Sequence, residues 1–403
     1  MTQLFRMITQ KPNKSNMIRL TVISCLILFF AACENKKTVE SNSEAIADQE
    51  VLAYQEVLAD GFEIPWAIEV IDEEDFLISD RMGTLYHYEN GKLSKIKGIP
   101  KSKTFVVDRP YGGMMDISLH PEFSSNQMAY LAYVNENYHL SVARFRLEEN
   151  SAQDLEIIFT SDQFSIGSRI EWQDNSHFFL SSGVGGTPGP DPGPQDVHDP
   201  RGKIFRLNAD GSIPEDNPVL PGLKEPSGIW SYGHRDPQGL FYEVNDSILY
   251  SNEHGPLGGD ELNVIIKGGN YGWPLFSYGL NYDLTPVSNM TEQEAAKSTI
   301  LPVKYWTKDF RLAPSSLIKL KNSNFKDWNG SFLIGGLTYQ SLIRYDPETD
   351  KTENVMPDIG RIRDIAQLPS GNLVILIDHH SPNSKDKGRV VKLKKQTNHL
   401  EVR

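Results

Sequence analysis

The chain has 403 residues, of which 40 are basic and 53 acidic, and its net charge is −13 at pH 7. Residues 1–33 contain four basic residues and no acidic ones, so residues 34–403 carry a net charge of −17. So acidic a chain is a poor partner for nucleic acid or for an anionic membrane surface. Both cysteines, Cys25 and Cys33, lie near the N-terminus, and we therefore expect neither disulfides nor thiolate chemistry in the body of the chain.

The N-terminal segment has the features of an export signal. Arg19 precedes an apolar run from Leu20 to Phe30, which is followed by two alanines and Cys33. The run is too short to span a bilayer as a helix, and small residues before a cysteine are typical of a lipoprotein signal. We predict a lipoprotein signal peptide over residues 1–32 with lipidation at Cys33. The alternatives are an ordinary signal peptide and a buried helix.

Lipidation at Cys33 would place the exported protein at a bacterial cell membrane, on the outer membrane or a periplasmic face, held only by its acyl chains. Residues 33–50 are polar and predict a disordered tether. Residues 51–403 are then expected to form one large domain, which is long enough to bury a core without disulfides.

Strand signals recur in six pairs along this domain. Each pair joins an apolar run of β-branched or aromatic residues to an alternating run through a polar or glycine turn. The pairs begin at Phe76, Met128, His177, Ser247, Ser331 and Asn372. A small all-β unit repeated every ~40–80 residues predicts a six-bladed β-propeller, with a β-sandwich as the alternative.

Three further features of the chain fit this fold. The strand at residues 51–60 is expected to complete the last blade and close the ring. Residues 183–200 and 275–310 are expected to be loops on one face. The first of these loops, rich in glycine and proline, is either a flexible surface loop or a lip over the channel that contacts a polar substrate.

The segment 233–274 has the densest chemistry in the chain. Its glycines and prolines force sharp turns and allow close approach of the backbone to a ligand. Its carbonyl and carboxylate oxygens are ligands for hard cations, and its arginine is a fork for anions. The pattern favours a functional site over purely structural turns. The three stretches concerned are Gly233–Gly239, Asn252–Asn263 and Gly268–Pro274.

Arg361 and Arg363 open the sixth unit, and strand alternation places both on the same side of an extended segment. Two guanidinium groups that point one way repel each other unless an anion or acidic residues lie between them. Together with Arg235 they are candidates for bidentate pairing with a multiply charged planar anion. The alternative is an exposed edge with solvated arginines.

The chain resembles the soluble PQQ-dependent sugar dehydrogenases, the family of glucose/sorbosone and aldose dehydrogenases. The three stretches within 233–274 carry this resemblance, which extends in the same order over about residues 60–395. Further similar stretches are Ile64–Ile68, Gly112–Phe123, Gly202–Pro214 and Arg361–Asp364. The resemblance implies a six-bladed propeller that holds calcium and PQQ, a planar tricarboxylate quinone, at one end of its channel.

The resemblance also assigns metal ligands. It implies that the carbonyls of Gly255 and Pro256 hold the calcium that bridges to PQQ. Glu261 and the carbonyl of Tyr271 would hold a second, structural calcium. Ligands rich in oxygen agree with what the residues of these loops indicate by themselves.

In the family a histidine acts as general base on the anomeric hydroxyl of the sugar. Ser165 occupies the corresponding position here, and serine does not accept a proton near neutral pH without a base of its own. Asp162 is close in sequence and is the candidate that would reach in to replace it. The resemblance assigns Arg235 to the catalytic centre as well as to the cofactor, together with Arg361 and Arg363.

Two further positions depart from the family pattern at the cofactor. Asp236 stands where the family has asparagine, which adds a negative charge. Thr338 stands where the family has lysine, which removes a positive one. The two changes shift the local charge by two units against the anionic PQQ.

Two functions follow from these features. The first is an exported dehydrogenase that uses PQQ and calcium to move hydride from C1 of an aldose to the quinone and passes the electrons to a separate acceptor. The second is a calcium-stabilised propeller lipoprotein that has lost PQQ catalysis and binds a sugar or glycan. A propeller hydrolase centred on calcium would need several inward carboxylate and amide side chains around one ion.

Overall fold

The computed structural model describes residues 53–106, 110–184, 191–379 and 384–395. These residues form six four-stranded antiparallel sheets, the blades of a β-propeller, and the predicted fold is confirmed. The signal peptide, Cys33 and the tether predicted for residues 1–50 lie outside the described residues. No helix among the described residues is long and apolar enough to cross a membrane.

The first three blades follow one another in chain order after β1 (Ala53–Phe62). Blade one contains β2 (Pro65–Asp72), β3 (Asp75–Asp80), β4 (Thr84–Glu89) and β5 (Lys92–Lys95), and a separate two-stranded ribbon follows, β6 (Thr104–Val106) with β7 (Pro110–Gly112). Blade two contains β8 (Met114–Leu119), the short helix α1 (Phe123–Asn126), β9 (Met128–Val134), β10 (Leu140–Glu148) and β11 (Ser151–Thr160). Blade three contains β12 (Ile170–Trp172), β13 (His177–Ser182), the 3-10 turn Gly193–Gln195, β14 (Lys203–Asn208) and β15 (Ile229–Tyr232).

The last three blades repeat the arrangement. Blade four contains β16 (Pro237–Glu243), β17 (Ile248–Glu253), β18 (Asp260–Ile265), the short helix α2 (Glu292–Ala295) and β19 (Lys304–Trp306). Blade five contains β20 (Pro314–Lys319), the 3-10 turn Lys326–Trp328, β21 (Phe332–Gly336), β22 (Leu342–Asp346) and β23 (Lys351–Met356). Blade six contains β24 (Arg361–Gln367), β25 (Leu373–Asp378) and β26 (Gly388–Lys395).

The ring closes through the N-terminal strand. β1 pairs with β26 and becomes the outermost strand of blade six, which confirms the closure predicted for residues 51–60. The first strand of each blade contacts the first strand of both neighbouring blades, so β2, β8, β12, β16, β20 and β24 surround a central channel. Each of the six predicted strand pairs is the pair of middle strands of one blade. In blade two these are β9 and β10, and in blade six they are β25 and β26.

The inner strands differ from the middle strands in regularity. Five of the six contain a register shift near their start, for example between Pro65 and Ala67 in β2 and between Ile362 and Asp364 in β24. A bulge of this kind turns side chains away from the regular alternation. It lets polar side chains at the start of these strands point into the channel while the apolar ones pack between blades.

Candidate functional site

Among the described residues, one cavity lies at each end of the channel. The front cavity has a volume of about 440 Å³ and lies at the starts of the inner strands. The rear cavity has a volume of about 390 Å³ and is lined by the later residues of all six inner strands. Both volumes are in the range of small-molecule sites.

Arg169, just before β12, separates the two cavities and links the blades. Its guanidinium lies 3.0 Å from Asp116 Oδ1 in blade two and 2.9 Å from Asp364 Oδ2 in blade six. It also donates to the carbonyl of Gln238 in blade four at 2.9 Å and to that of Ser315 in blade five at 3.3 Å. Asp364 in turn accepts the backbone N–H of Ile68 in blade one at 2.9 Å, so the network reaches all six blades.

The front cavity brings together the residues that the sequence assigned to the cofactor. Its charged lining consists of five arginines and three aspartates, which give a formal charge of +2 before any contribution from His254. All five predicted cofactor residues are part of the wall: Arg235, Asp236, Thr338, Arg361 and Arg363. The other charged members of the wall are Arg81, Arg311, Asp260 and Asp378.

Asp378 holds Arg361 and Arg363 side by side. Its Oδ1 accepts from Arg361 Nε at 2.9 Å, and its Oδ2 accepts from Arg363 Nε at 3.0 Å. Burial acts to raise the pKa of Asp378, but the guanidinium groups of Arg363 and Arg361 lower it overall. Burial also lowers the pKa of Arg363 to about 10. Arg361 and Arg363 therefore lie on the same side of β24. Asp378 is the acidic residue between their guanidinium groups and offsets the repulsion between them.

Trp66 forms another part of the front wall. The guanidinium carbons of Arg81 and Arg363 each lie 4.2 Å from the centroid of its ring, a distance typical of cation–π contact. Arg81 also donates to the carbonyl of Pro110 at 2.6 Å. Sequence reasoning missed Arg81, since a single arginine before a turn gives no signal. Trp66, in contrast, lay within a stretch that resembles the family.

The 233–239 and 268–274 turns position Arg235. Gly233 has a φ of +77°, and a Cβ on it would lie 2.2 Å from Asn270 Oδ1, so only glycine allows this approach. The backbone N–H of Arg235 donates to Glu253 Oε2 at 2.7 Å, and its Nη1 donates to the carbonyl of His254 at 3.1 Å. The arginine is therefore fixed at the boundary between the front cavity and the 253–263 loop.

Asp236 and His254 face each other in the front cavity. His254 Nδ1 lies 3.4 Å from Asp236 Oδ2, and Gln238 Nε2 donates to Asp236 Oδ1 at 2.9 Å. Asp236 is only 2% exposed, and burial raises its pKa to about 6, although the guanidinium of Arg235 opposes this. The carboxylate that adds negative charge to the cavity is therefore paired with an imidazole, and this partly offsets its effect on an anionic ligand.

The predicted calcium ligands lie in one continuous region. Gly255 and Pro256 line the front cavity, and a small adjoining cavity of about 10 Å³ is lined by Gly255, Glu261 and Tyr271, among others. That volume holds about one water or ion. Within the described ranges, no three or more His, Cys, Asp or Glu side chains are grouped so as to hold a metal. Backbone carbonyls would therefore have to complete a calcium site, as the resemblance implies.

Two carboxylates line the small cavity, that of the buried Glu253 and that of the partly buried Glu261. Asn263 Nδ2 donates to Glu253 Oε1 at 3.0 Å and to Glu261 Oε2 at 3.2 Å. Burial, and next the nearby charge of Glu253, raise the pKa of Glu261 well above its ordinary value. A hard cation between the two carboxylates would relieve this repulsion, so these residues fit calcium.

The structure does not bring Ser165 and Asp162 into the front cavity. Ser165 is completely buried, and its Oγ donates to the carbonyl of Gly167 and accepts the N–H of Gly183 at 2.9 Å. Its neighbour Ile166 lines the cavity instead. Asp162 is exposed and is not part of the wall. Neither residue is placed to act on a ligand in this cavity.

The described part of the 183–200 loop braces the site from behind. Gln195 Nε2 donates to Asn270 Oδ1 at 3.0 Å and to the carbonyl of Trp273 at 2.7 Å. Arg201 pairs with Asp191 and Asp199 at 2.7 and 2.5 Å. Among residues 191–200 none lines the front cavity. These residues support the 268–274 turn, and residues 185–190 lie outside the described part of the loop.

The fold and the site define a six-bladed propeller with an arginine-rich cavity at one end of its channel and an oxygen-rich loop beside it. The family model for glucose/sorbosone dehydrogenase matches residues 62–390, and the chain belongs to this family. Membership places the chain among sugar dehydrogenases of the PQQ-dependent type.

Individual relatives agree with this family. The chain is 33% identical over 346 residues to the aldose sugar dehydrogenase of Escherichia coli K12, a match that covers 81% of this chain and 90% of the relative. It is 30% identical over 250 residues to quinoprotein glucose dehydrogenase B of Acinetobacter calcoaceticus, covering 49% of this chain and 52% of that one. The crystal structure of the soluble E. coli aldose sugar dehydrogenase without cofactor superposes with a TM-score of 0.73 at 31% identity, over 85% of this chain and 99% of that one.

Proposed function

We propose that the protein is an exported dehydrogenase that uses PQQ and calcium to oxidise an aldose sugar at C1. The observation that carries this proposal is the front cavity, where Arg235, Arg361 and Arg363 give a net positive wall of a size suited to a small anionic cofactor. The relatives named aldose sugar dehydrogenase and quinoprotein glucose dehydrogenase support the choice of substrate and cofactor.

The residues of the front cavity fit PQQ by charge and shape. The three arginines supply charge-assisted hydrogen bonds to carboxylates, and the buried Trp66 ring holds the guanidinium groups of Arg81 and Arg363 in place. Thr338 contributes a hydroxyl in place of the ammonium expected there. PQQ, when bound, would supply the hydride acceptor. The chain itself would bind and orient the quinone and the sugar.

Calcium would occupy the loop beside the cofactor. The carbonyls of Gly255 and Pro256 would hold an ion at the front cavity, and Glu261 with the carbonyl of Tyr271 would hold one in the small adjoining cavity. The crowding of Glu253 and Glu261, which the Asn263 amide bridges, supports a cation at the second position. Such a cation would also tie the 253–263 loop to the 268–274 turn.

We further propose that the protein is anchored through a lipid on Cys33 after removal of residues 1–32. Its other partners would be the small sugar and a separate electron acceptor, with membrane contact through the acyl chains alone. Replacement of Cys33 by serine should release the protein from the membrane fraction of cells that express it. Retention of the Cys33→Ser protein in that fraction would contradict the lipid anchor.

One observation favours a second candidate, a calcium-stabilised propeller that binds a sugar or glycan without PQQ catalysis. The Ser165 hydroxyl is buried and already paired with Gly167 and Gly183, so the position of the family histidine supplies no proton acceptor. Loss of a general base lowers a rate by about 10²–10⁴-fold.

Titration of the purified protein with PQQ in the presence of calcium distinguishes the two candidates. The dehydrogenase is expected to bind PQQ and to reduce an artificial dye when an aldose is added. Binding of PQQ without aldose-dependent reduction would favour the second candidate. Failure to bind PQQ at all would exclude PQQ-dependent oxidation.

Restoration of the histidine tests the reason for any missing activity. Ser165 faces Gly167 and Gly183 rather than the front cavity. Ser165→His is therefore expected to raise dye reduction by about 10²–10⁴-fold only if the larger imidazole turns into the cavity beside Ile166 and supplies the missing base. Ser125→His, on the exposed helix α1, serves as the matched control and should leave the rate unchanged. An equal rate in both variants would show that a histidine at position 165 does not act as the general base in this protein.

A further inference from the structure

The rear cavity has a chemistry that the proposed dehydrogenase does not use. It is walled by the later residues of all six inner strands and has a volume of about 390 Å³. Four carboxylates line it, those of Glu69, Asp116, Glu171 and Asp364, against the single guanidinium of Arg169. Its formal charge is therefore −3, opposite in sign to that of the front cavity.

Arg169 accounts for only two of the four carboxylates. It pairs with Asp116 and Asp364 at the floor of the cavity, where the channel is divided. Glu69 and Glu171 form no ion pair within the described part of the chain. Their charges are the ones that the protein leaves without a cation.

Each of these glutamates uses one oxygen to link two blades. Glu69 Oε1 accepts the N–H of Leu119 at 3.0 Å, and Glu171 Oε1 accepts the N–H of Tyr242 at 2.8 Å. The second oxygen of each carboxylate has no hydrogen-bond partner among the described residues. The link between blades therefore accounts for only one of the two oxygens of each carboxylate. It does not require a negative charge, since the oxygen of a glutamine amide would accept the same hydrogen bond.

A separate observation at the same cavity also indicates a missing partner. Ser316 lines the cavity and is only 2% exposed. Its Oγ is buried and has no hydrogen-bond partner anywhere in the described ranges. Buried hydroxyl groups are nearly always paired, so a polar atom of a ligand is the expected partner.

We propose that the rear cavity binds a small organic dication, a methylene chain with an ammonium group at each end. Two uncompensated carboxylates, Glu69 and Glu171, match two ammonium groups, and the Ser316 hydroxyl is an additional acceptor. The methylenes would contact the apolar residues of the cavity wall, which include Ile117 and Leu240. A bare metal ion does not fit, because no three of the carboxylate, imidazole or thiol groups of the described residues, these four carboxylates included, are grouped so as to hold a metal.

This site has a characteristic pH dependence. The pKa values of Glu69 and Glu171 are both raised to about 8, mainly by burial. The other charged groups that face these two glutamates in the cavity are Asp116, Asp364 and Arg169. Ammonium groups remain protonated up to about pH 10. The dication therefore has to displace protons from the glutamates at low pH, and its affinity rises as pH passes through 8.

Isothermal titration calorimetry of the full-length protein with 1,4-diaminobutane tests the proposal. The affinity is expected to be at least tenfold higher at pH 9 than at pH 6. The double variant Glu69→Gln/Glu171→Gln retains the acceptors for Leu119 and Tyr242 and should bind at least tenfold more weakly at pH 9. Glu89→Gln, an exposed carboxylate on β4, is the matched control and should bind like the parent protein.

Three results would overturn the proposal. The first is the absence of diamine binding at pH 9 in a protein that circular dichroism shows to be folded. The second is equal affinity in the parent protein and the double variant. The third is displacement of the diamine by one equivalent of Ca²⁺, which would assign the cavity to a metal. None of these results bears on PQQ binding at the front cavity, so the two proposals fail independently.

Discussion

The front and rear cavities lie at the two ends of one channel but have opposite formal charge. The front cavity takes its arginines from loops and from the first residues of strands, as with Arg81, Arg235 and Arg361. The rear cavity takes its carboxylates from within the inner strands, as with Glu69 and Glu171. The comparison shows that the propeller supplies a channel, while the residues at each end decide which ligand it admits.

The division between the cavities depends on one buried cation. Arg169 neutralises Asp116 and Asp364 and hydrogen-bonds to carbonyls of blades four and five. Without it, two carboxylates would remain unpaired in a low-dielectric channel, and the field of the rear cavity would reach the front one. Arg169 therefore links the blades around the channel and compensates two of the carboxylates in it.

Replacement of Arg169 by methionine is expected to destabilise the protein more than any other single substitution in the channel. Removal of one partner of a buried ion pair costs about 3–5 kcal/mol, since the remaining charges lose their compensation. Urea denaturation at pH 7 measures the loss in free energy of unfolding. Arg146→Met removes an exposed arginine that also pairs with two carboxylates, and it should cost less than ~1 kcal/mol. Similar losses in both variants would contradict the role given to Arg169.

The sequence predicts the blades better than the channel. Each pair of middle strands joins a nearly continuous apolar run, such as β9 or β25, to a partly alternating run, such as β10. These pairs are predictable because the apolar residues pack between neighbouring blades. The inner strands are harder to predict, because bulges interrupt their alternation and polar residues such as Asp116 and Asp364 face the channel. β12 has only three residues, too few for any periodicity to appear.

The front cavity was predictable where residues lie in dense motifs. Arg235, Asp236, Gly255 and Pro256 share the 233–274 segment, and Arg361 and Arg363 show strand alternation. Contacts between distant blades were not predictable. Nothing in the sequence links Asp378 to the two arginines of the preceding strand, or Arg169 to Asp364 far along the chain. The replacement of the family histidine by Ser165 could be found from the sequence, but the burial of the Ser165 side chain could not.

Calcium is expected to stabilise the front end of the molecule. An ion at 100 times its dissociation constant adds about 2.7 kcal/mol to the free energy of unfolding. Glu261→Gln should lose most of this gain, since it removes a charged ligand and the repulsion that calcium would relieve. Thermal unfolding with calcium and with a chelator measures the difference. Glu225→Gln, an exposed residue, should keep the full response, and an equal response in both variants would contradict the second calcium position.

The charge of the front cavity is expected to govern PQQ affinity. Arg235→Met should weaken binding by about 10–100-fold, which corresponds to the ~1.5–3 kcal/mol of a hydrogen bond to a charged group. The same measurement at increasing salt should show weaker binding in the parent protein and a smaller salt effect in the variant. Arg144→Met on the outer side of blade two is the control, and spectroscopic titration with PQQ provides the affinities. Unchanged affinity in Arg235→Met would place PQQ elsewhere.

The two ends of the channel should also respond to pH in different ranges. Burial raises the pKa of Glu69 and Glu171 to about 8 from an ordinary value of 4.5. A carboxyl with a raised pKa contributes stability that is fully present below its unfolded-state pKa and is lost as pH rises through its folded-state value. The parent protein should therefore lose stability relative to Glu69→Gln/Glu171→Gln between about pH 4.5 and 8.

The size of this loss is expected to be on the order of 1–2 kcal/mol, because both glutamates keep some contact with solvent. Asp236 in the front cavity has a pKa raised to about 6, so the corresponding loss relative to Asp236→Asn should be complete by about pH 6. Urea denaturation of the parent protein, Glu69→Gln/Glu171→Gln and Asp236→Asn across this pH range, with a chelator present, measures both losses in the free energy of unfolding. A difference for the glutamate variant that is already complete at pH 6 would show that Glu69 and Glu171 are ionised at neutral pH. The rear cavity would then hold its negative charge without a bound cation to stabilise it.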